Sequence, residues 1–437
     1  MTVAAMTFAS LMLSPEIVRA VEERNYPTPT PIQSAVIPGV LSGRDVWACA
    51  QTGSGKTAAF ALPLLQQHSE ARRAIPRRVR SLILVPTREL AAQIGASFDA
   101  YARYLPSSAS RGIPSEPRSP WNAHPPTKIV AVFGGVSINP QMMALRGGAD
   151  IVVATPGRLL DLVDHNALNL RFVTTLVLDE ADRLLDLGFA DELTKILGLL
   201  PERRQNLLFS ATFPPAVNAL AEGLLRDPLR VDIPSTPATA PDIDQRAIKV
   251  DVPRRTQLLL HLIREHDWTR VLVFVATKYS TEHVAEKLRR AGVKAAAFHG
   301  ELSQGARTRA LADFKAQQLQ VLVATDVAAR GIDITYLPTV VNYDLPRSTD
   351  DYVHRIGRTG RAGRSGVAVS FVSSNTEPHL RLIEKRHHMT LTREIVAGFE
   401  PVETAVPITP LPSAATGGIK GKRKSKKDKL RERGGLN

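Results

Sequence analysis

Residues 46–57 read VWACAQTGSGKT, a short apolar run followed by a glycine-rich loop that ends in lysine and threonine. Gly53 and Gly55 allow the backbone N–H groups of such a loop to curl around phosphate oxygens, and the helical pattern that follows adds positive potential. Lys56 then suits the β- and γ-phosphates of a nucleotide, and Thr57 suits a Mg²⁺ ion. A glycine-rich turn without a ligand is the alternative. The loop residues predicted to bind nucleotide are Gly53, Ser54, Gly55, Lys56 and Thr57.

Short apolar runs alternate with helical patterns through most of the chain. The runs are nearly continuous rather than alternating with polar residues, which is typical of strands buried on both faces of a parallel sheet. Strands and helices in alternation predict an α/β architecture. The predicted strands are Ser81–Val85, Lys128–Phe133, Asp150–Ala154, Thr174–Leu178, Asn206–Phe209, Arg270–Val275, Lys294–Phe298, Gln320–Ala324, Thr339–Asn342 and Val367–Val372.

The proline content divides the chain into two α/β domains. Residues 233–245 hold three prolines and no helical period, so they are predicted to be a linker between a first domain at 1–232 and a second at 246–396. A Pro- and Ser-rich loop at 106–127 interrupts the first domain between a helix and a strand. Ligands of open α/β sheets bind at the opposite edge, where strands end. Residues 397–437 are predicted to form a disordered basic tail.

The charge of the chain favours a polyanionic partner. The 437 residues carry a formal net charge of +14, and nine basic residues against two acidic ones at 420–433 supply half of it. Cys49 is the one cysteine, which excludes an intramolecular disulfide and a cysteine-built zinc site. The chain has no apolar run long enough to span a bilayer and no basic region before its first apolar residues. A cytoplasmic location is the simplest interpretation.

Two acidic residues follow a predicted buried strand. Residues 179–182 read DEAD directly after the run that ends at Leu178. Unpaired buried carboxylates are costly, so their placement calls for a function. Asp179 suits a Mg²⁺ ion, held through water, and Glu180 suits the orientation and deprotonation of an attacking water. The alternative is an acidic helix N-terminus, which the helix dipole favours in any case. The phosphate loop earlier in the chain favours the catalytic interpretation.

An arginine-rich stretch lies in the second domain. Residues 354–361 read HRIGRTGR, and the planar donors of arginine match phosphate oxygens. Arg358 and Arg361 are candidate arginine fingers that reach a nucleotide across the cleft between the domains. A solvated basic turn is the alternative for this stretch alone.

Together, the three stretches resemble the DEAD-box family of ATP-dependent RNA helicases, and the other motifs of that family follow in order. The resemblance covers roughly residues 8–390 and is closest to the bacterial RhlE-type branch. It implies two tandem RecA-like domains with parallel sheets, the P-loop NTPase fold of helicase superfamily 2. The departures are Ala50, where the general phosphate-loop pattern has glycine, and the 106–127 loop, which is longer than the family usually carries.

The resemblance also assigns roles to single residues. It implies that Phe8 stacks on adenine, that Gln33 reads the adenine edge, and that Asp333 contacts the ribose within a motif that includes Gly331. Motifs that couple hydrolysis to strand separation are matched by Ser210, Thr212, Asp182 and His354. Motifs that contact RNA are matched by Pro86, Thr87, Arg88, Gly135, Thr155, Gly157, Arg158, Thr277, Gln304, Arg307 and Thr325.

The activity implied by the resemblance is RNA-stimulated ATP hydrolysis, with ATP and Mg²⁺ as ligands. Hydrolysis would be coupled to local unwinding of short RNA duplexes or to remodelling of RNA–protein complexes, with RNA held through its phosphates and 2′-hydroxyls. Ribosomal or RNA-degradation proteins are the partner proteins considered, and a membrane partner is not expected. An ATP-gated RNA clamp with little unwinding and a DNA-directed helicase are the alternatives. The sequence does not determine which RNA is remodelled or the oligomeric state.

Overall fold

The computed structural model describes residues 6–50, 53–70, 76–105, 127–233, 242–329, 337–360 and 365–402. These residues form two α/β domains, each built on a seven-stranded sheet in which every paired strand is parallel to its neighbour. The predicted architecture of two tandem RecA-like domains is therefore confirmed. The predicted loop at 106–127 and most of the predicted tail lie outside the described residues.

The first domain has the strand order β3-β4-β2-β5-β6-β1-β7. Its strands are β1 (Val46–Cys49), β2 (Ser81–Leu84), β3 (Ile129–Val132), β4 (Ile151–Ala154), β5 (Thr175–Leu178), β6 (Gln205–Ser210) and β7 (Leu229–Asp232). Its helices are α1 (Pro15–Glu22), α2 (Pro31–Leu41), α3 (Lys56–Glu70), α4 (Arg88–Tyr101), α5 (Ile138–Ala144), α6 (Pro156–Asp164), α7 (Ala181–Asp186), α8 (Ala190–Leu199) and α9 (Pro215–Leu224). Short 3-10 turns lie at Ala9–Leu11 and Ala102–Tyr104.

The second domain repeats that order seven strands later, as β10-β11-β9-β12-β13-β8-β14. Its strands are β8 (Ile243–Lys249), β9 (Val271–Phe274), β10 (Ala295–Phe298), β11 (Val321–Ala324), β12 (Thr339–Asn342), β13 (Gly366–Val372) and β14 (Arg393–Glu394). Its helices are α10 (Arg255–Glu265), α11 (Lys278–Arg290), α12 (Gln304–Lys315), α13 (Asp326–Ala329), α14 (Thr349–Ile356) and α15 (Glu377–His387). A 3-10 turn at Val252–Arg254 precedes α10.

The apolar runs form strands because each sheet is covered by helices on both faces. Along β2, Ile83 packs into one apolar cluster, while Leu82 and Leu84 pack into a second cluster on the other face. This alternation follows from the two-residue period of a strand. Full burial of each such side chain contributes about 1.5–3 kcal/mol. An uninterrupted run of Leu, Ile and Val is therefore stable only in the middle of such a three-layer arrangement.

Two predicted boundaries need correction. Strand β8 begins at Ile243, so the last three residues of the predicted linker at 233–245 belong to the second sheet. The tail predicted from residue 397 starts with a packed segment, because Phe399 lies against the His261 ring at 5.4 Å between centroids and the Val402 N–H donates to Asp251 at 2.8 Å.

Strands β7, β8 and β14 were not predicted, since they are polar or short and lie toward one side of their sheets. Among the described residues, no helix is long and apolar enough to cross a membrane.

Candidate functional site

The strand order of the first domain separates two groups of motifs along one edge of the sheet. The phosphate loop follows β1, the DEAD tetrad follows β5, and Ser210 ends β6, and these three strands are neighbours in the sheet. The predicted RNA-contacting residues of this domain follow β2, β3 and β4, which form the other half of the sheet. Since parallel strands end at the same edge, nucleotide and RNA candidates lie side by side but do not overlap.

The phosphate loop has the backbone conformation that its glycines permit. Gly53 and Gly55 have φ values of +85° and +97°, a left-handed region that other residues rarely adopt. Lys56 is the first residue of α3, is buried, and donates through Nζ to the Ala50 carbonyl at 2.8 Å. Thr57 follows it in the first turn of the same helix. The ammonium group therefore lies inside the loop, where a phosphate oxygen can take the place of the carbonyl.

The N-terminus of α2 holds the phosphate loop from outside. Thr30 caps this helix, and its hydroxyl donates to the Ser54 carbonyl at 2.8 Å. The Gln33 amide accepts from the Thr30 N–H at 2.9 Å and donates to the Gly55 carbonyl at 3.1 Å. Phe8 is buried and belongs to the apolar cluster that includes Ala50. Gln33 thus contacts the loop directly, and the roles assigned to Gln33 and Phe8 at adenine stay predictions.

The two carboxylates after β5 have different environments. Asp179 is 3% exposed, and burial raises its pKa to about 6, although the nearby Lys56 ammonium opposes the shift. Glu180 is half-buried and has a φ of +53°, an uncommon value for a non-glycine residue. Its N–H donates to Asp179 Oδ1 at 3.0 Å. Strained backbone of this kind is concentrated at functional sites.

The same edge offers suitable ligands for a Mg²⁺ ion. Carboxylate and hydroxyl oxygens are the donors that Mg²⁺ prefers, together with phosphate oxygens of a substrate. Asp179 is a buried carboxylate whose negative charge is only partly offset by Lys56, and Thr57 supplies a hydroxyl at the start of α3. Asp179 and Thr57 therefore fit the metal that the phosphate-loop pattern implies.

Three of the four residues predicted to couple hydrolysis to strand separation, Asp182, Ser210 and Thr212, form one hydrogen-bonded group. Asp182 accepts from the Thr212 hydroxyl at 2.9 Å and from the Thr212 N–H at 3.1 Å. The Ser210 hydroxyl donates to the Thr212 carbonyl at 2.7 Å and accepts from the Asp182 N–H at 3.3 Å. His354 of the second domain lines the same cleft, and burial lowers its pKa to about 4. The end of β5 is thus bonded directly to the end of β6.

The second domain closes the cleft with an arginine-rich segment. Glu180 and Asp182 line one cleft together with Phe274, Arg355 and Arg358 of the second domain. Arg355 is fixed within its own domain, because its guanidinium donates to both Asp326 carboxylate oxygens at 2.6 Å. Arg358 is buried and lies two residues beyond the end of α14. Of the other predicted nucleotide residues in this domain, Gly331, Asp333 and Arg361 lie outside the described residues.

The predicted RNA-contacting residues follow strand ends in both domains. Thr87, Thr155 and Thr277 are the N-cap residues of α4, α6 and α11. Gly135 has a φ of +74°, and a side chain there would collide with the Arg88 guanidinium. The remaining positions are Pro86 after β2, Gly157 and Arg158 in α6, and Thr325 after β11. The structure brings these residues to the carboxyl edges of the two sheets.

Three residues that were predicted to contact RNA contact other groups of the protein in this structure. Arg307 is 5% exposed and forms an ion pair with Glu89 of the first domain at 2.9 Å. Gln304 lies 3.4 Å from the same carboxylate. Arg158 donates to the Val136 carbonyl at 2.9 Å and is largely buried. Glu89, which was not predicted as a site residue, thus joins the two domains on the RNA side of the cleft.

A second ion pair between the domains was also missed from sequence. Arg183 follows the DEAD tetrad and lies 2.9 Å from Asp351 of α14. Neither residue is unusual for its position in a helix, and the two are 168 positions apart in the chain. The one available signal was that Arg183 directly follows the DEAD tetrad and that Asp351 lies three residues before the arginine-rich stretch.

Known proteins match both domains. A family model described as DEAD/DEAH box helicase matches residues 30–220, and one described as helicase conserved C-terminal domain matches residues 254–363. The chain is 42% identical over 400 residues to the ATP-dependent RNA helicase DeaD of Mycobacterium tuberculosis, covering 92% of this chain and 67% of that protein. It is 40% identical over 385 residues to DeaD of Escherichia coli, covering 88% of this chain and 58% of that protein.

Two solved structures match in both sequence and fold. Mss116p bound to ssRNA and AMP-PNP aligns with a TM-score of 0.77 at 29% identity, covering 91% of this chain and 80% of that one. Dbp5 of S. cerevisiae bound to RNA and ADP BeF3 aligns with a TM-score of 0.74 at 30% identity, covering 90% of this chain and 96% of that one. The likeness extends across both domains.

Proposed function

The chain belongs to the DEAD-box family of ATP-dependent RNA helicases, and we propose that it hydrolyses ATP between its two domains to separate short stretches of base-paired RNA. One observation carries the proposal. Lys56 of the phosphate loop acts on the charge of Asp179, and Glu180, the next residue after Asp179, lines one cleft with Arg358 of the second domain. Phosphoryl transfer depends on positioned charges of these kinds and needs little covalent chemistry from the protein.

The residues of the first domain bind and orient the nucleotide. Lys56 and the loop N–H groups hold the β- and γ-phosphates, while Thr57 and Asp179 would hold a Mg²⁺ ion. Such an ion, when bound, neutralises charge that develops on the phosphate oxygens. Glu180 orients the attacking water and takes its proton, since its backbone holds the side chain at the mouth of the cleft. Phe8 and Gln33 would receive the adenine.

The second domain completes the site only when the domains are together. Arg358 would stabilise charge on the γ-phosphate as an arginine finger, with Arg361 in the same role. ATP then binds the closed arrangement more tightly than the open one, and this difference drives closure. Loss of phosphate after hydrolysis removes the link between the domains and allows them to separate.

RNA would lie across the other half of each sheet edge. The helix N-caps Thr87, Thr155 and Thr277 place backbone N–H groups where phosphate oxygens can bind them. Contacts to phosphates and 2′-hydroxyls tolerate any sequence and distinguish RNA from DNA. Mss116p and Dbp5 are bound to RNA in the matching structures, which supports an RNA partner here. The RhlE-type placement, a cytoplasmic location and ribosomal or degradation-complex partners stay predictions.

The catalytic role of Glu180 is tested by Glu180→Gln. We expect RNA-stimulated ATP turnover to fall by about 10²–10⁴-fold, because the amide cannot take a proton from water. ATP binding should persist, since the phosphate loop is unchanged. The matched control is Glu222→Gln on the exposed face of α9, which should turn over ATP as the wild type does. Near wild-type turnover by Glu180→Gln would contradict the assignment of the base.

The alternatives are separated by two further measurements on the wild-type protein. Single-stranded RNA, but not DNA of the same sequence, should stimulate ATP turnover, and equal stimulation by DNA would favour a DNA-directed helicase. Strand displacement on a short RNA duplex should require ATP. Tight, ATP-dependent RNA binding without displacement would instead favour an RNA clamp.

A further inference from the structure

An ion pair crosses the cleft beside the proposed nucleotide site. Arg183 of α7 donates through Nη1 to Asp351 Oδ1 of α14 at 2.9 Å. The two side chains are 10% and 11% exposed, so the contact excludes most water. Neither residue is placed on the nucleotide or the RNA by the proposed mechanism. The pair therefore has a role between the domains.

The pair can form and break without leaving the arginine unpaired. The same Nη1 atom also donates to Asp186 Oδ2 at 3.1 Å, and Asp186 lies on α7 with Arg183. The Asp186 side chain is 52% exposed and belongs to the first domain, so this contact does not depend on closure. Only the contact with Asp351 is made when the domains meet. Arg183 thus contacts Asp186 whether the domains are open or closed, and contacts Asp351 only when they are closed.

The pair joins two groups that matter for hydrolysis. On the first-domain side, the Arg183 N–H donates to Asp182 Oδ1 at 3.0 Å, and Asp182 is bonded to Thr212. On the other side, Asp351 lies on α14, the helix that ends two residues before Arg358. The Arg358 N–H donates to the Arg355 carbonyl at 3.2 Å. A movement of α14 would therefore move Arg358 with it.

A buried ion pair of this kind adds orientation rather than strength. The cost of removing both charges from water roughly cancels their attraction, so replacing both partners with apolar residues is often neutral, whereas removing one partner is strongly unfavourable. We propose that Arg183 and Asp351 are positioning residues, which fix the angle of α14 across the cleft so that Arg358 meets the γ-phosphate in the orientation needed for hydrolysis. The inference rests on the proposed function.

The experiment compares closure with catalysis in single and double variants. Fluorophores at Glu222→Cys on α9 and Lys385→Cys on α15, both exposed, report the distance between domains in a Cys49→Ser background. With RNA and AMP-PNP, Arg183→Met should reduce the closing equilibrium by about 10²-fold, because the largely buried charge contact across the cleft is lost. Asp351→Leu should reduce it by less, because Arg183 keeps its contact with Asp186. The double variant should recover closure to within about tenfold of the wild type.

Catalysis should not recover with closure. We expect the double variant to hydrolyse ATP at least about tenfold more slowly at saturating RNA and ATP, because small misplacements of a catalytic group are costly. Arg183→Lys keeps the charge but loses the planar fork, so it should close normally and show an intermediate rate. The matched control is Arg290→Met with Glu286→Leu, an exposed pair within α11, which should leave both measurements unchanged.

Each result decides between outcomes. Recovered closure together with a reduced rate supports positioning by the pair. Full recovery of both closure and rate in the double variant would overturn it, as would single variants that close and hydrolyse ATP like the wild type. A wild type that closes without RNA-stimulated hydrolysis would contradict the proposed function. In that case the closure measurements alone would still show whether the pair couples the domains.

Discussion

The two domains share one strand order but use the same edge of their sheets differently. In the first domain, β1 leads into the phosphate loop and α3 begins with Lys56, while Asp179 follows the neighbouring strand β5. In the second, β8 leads into a 3-10 turn and α10 begins with Arg255, while Asp344 lies just after β12. Since β8 and β12 occupy the positions of β1 and β5, each domain has a cation and a carboxylate at matching places.

The two domains differ in what these charged side chains contact. Arg255 Nη1 contacts Asp344 Oδ1 at 2.7 Å, and the other Asp344 oxygen accepts from the Ala276 N–H at 2.8 Å. The charges of the second domain therefore bind one another. In the first domain, Lys56 donates to a loop carbonyl, and Asp179 has a raised pKa because burial outweighs the stabilisation by Lys56. Burial of Lys56 and Asp179 costs solvation free energy, and under the proposed function this arrangement leaves both groups available to phosphate and metal.

The largest expected effects come from replacing Lys56 and Arg255, the two matching cations, with methionine. Lys56→Met should reduce ATP turnover by about 10²–10³-fold, as expected for loss of a donor to developing charge. Its stability should change by less than about 1 kcal/mol, because removal of a costly buried ammonium offsets the loss of its attraction for Asp179. Arg255→Met should instead destabilise the second domain by about 3 kcal/mol, since Asp344 loses its partner. Urea unfolding and ATPase rates measure the two effects, and a stability loss of equal size in both variants would break the comparison.

Glycine substitutions test the loop that only the first domain has. Gly55 has a φ of +97°, and an added Cβ would collide with the Gln33 amide. Gly43 has a φ of +79° and nothing within 4 Å of an added Cβ. Both alanine variants should lose about 1 kcal/mol of stability from backbone strain. Only Gly55→Ala should also weaken ATP binding, by roughly tenfold or more, because its Cβ clashes with Gln33. Titration with a fluorescent nucleotide measures this affinity. Equal ATP affinities would exclude a role for the contact between Gln33 and the loop.

The last expected effect, which is small near neutral pH, concerns the pH dependence of the contact between the domains. Burial lowers the pKa of His354 to about 4, and charged groups of both domains face it, namely Asp182, Arg183, Asp351 and Arg358. The open arrangement returns His354 toward its ordinary pKa near 6.5, so it binds more protons than the closed one between these values. Closure should be unaffected above pH 7 and should weaken by up to tenfold per pH unit as the pH falls from 6.5 toward 4.

Energy transfer between the labelled domains, with RNA and AMP-PNP, measures this pH dependence. The control is His354→Asn, which removes the titrating group and should reduce the slope at mildly acidic pH. An identical slope in the two proteins would assign the pH dependence to other groups.

Much of the fold was predictable because apolar runs identify buried strands. Ten strands were predicted, and each is present within one or two residues of its predicted ends. The missed strands β7, β8 and β14 carry polar residues or are very short, as the sequence of Arg393–Glu394 shows. A strand toward the side of a sheet needs less apolar surface, so its pattern resembles that of a loop. The same reasoning explains why the predicted linker overran Ile243.

The site was predictable where neighbouring residues in the chain also act together. The phosphate loop and the carboxylates after β5 are continuous stretches, so their spacing alone indicates phosphate and metal chemistry. The contacts of Arg183 with Asp351 and of Arg307 with Glu89 join residues more than 150 positions apart. Nothing in the local sequence of either partner specifies the other. The structure places Arg307 in an ion pair with Glu89 of the first domain, and its predicted contact with RNA stays a prediction.

Sequence alone determined the α/β class, the repeated strand pattern and the identity of the groups proposed to bind phosphate, because these depend on local periodicity and on chemistry within a few residues. Tertiary structure decided which charges are free and which are already paired. That outcome depends on burial and on distances of a few ångströms between elements remote in the chain. For this reason Lys56 and Arg255, alike in charge and in place, have opposite roles.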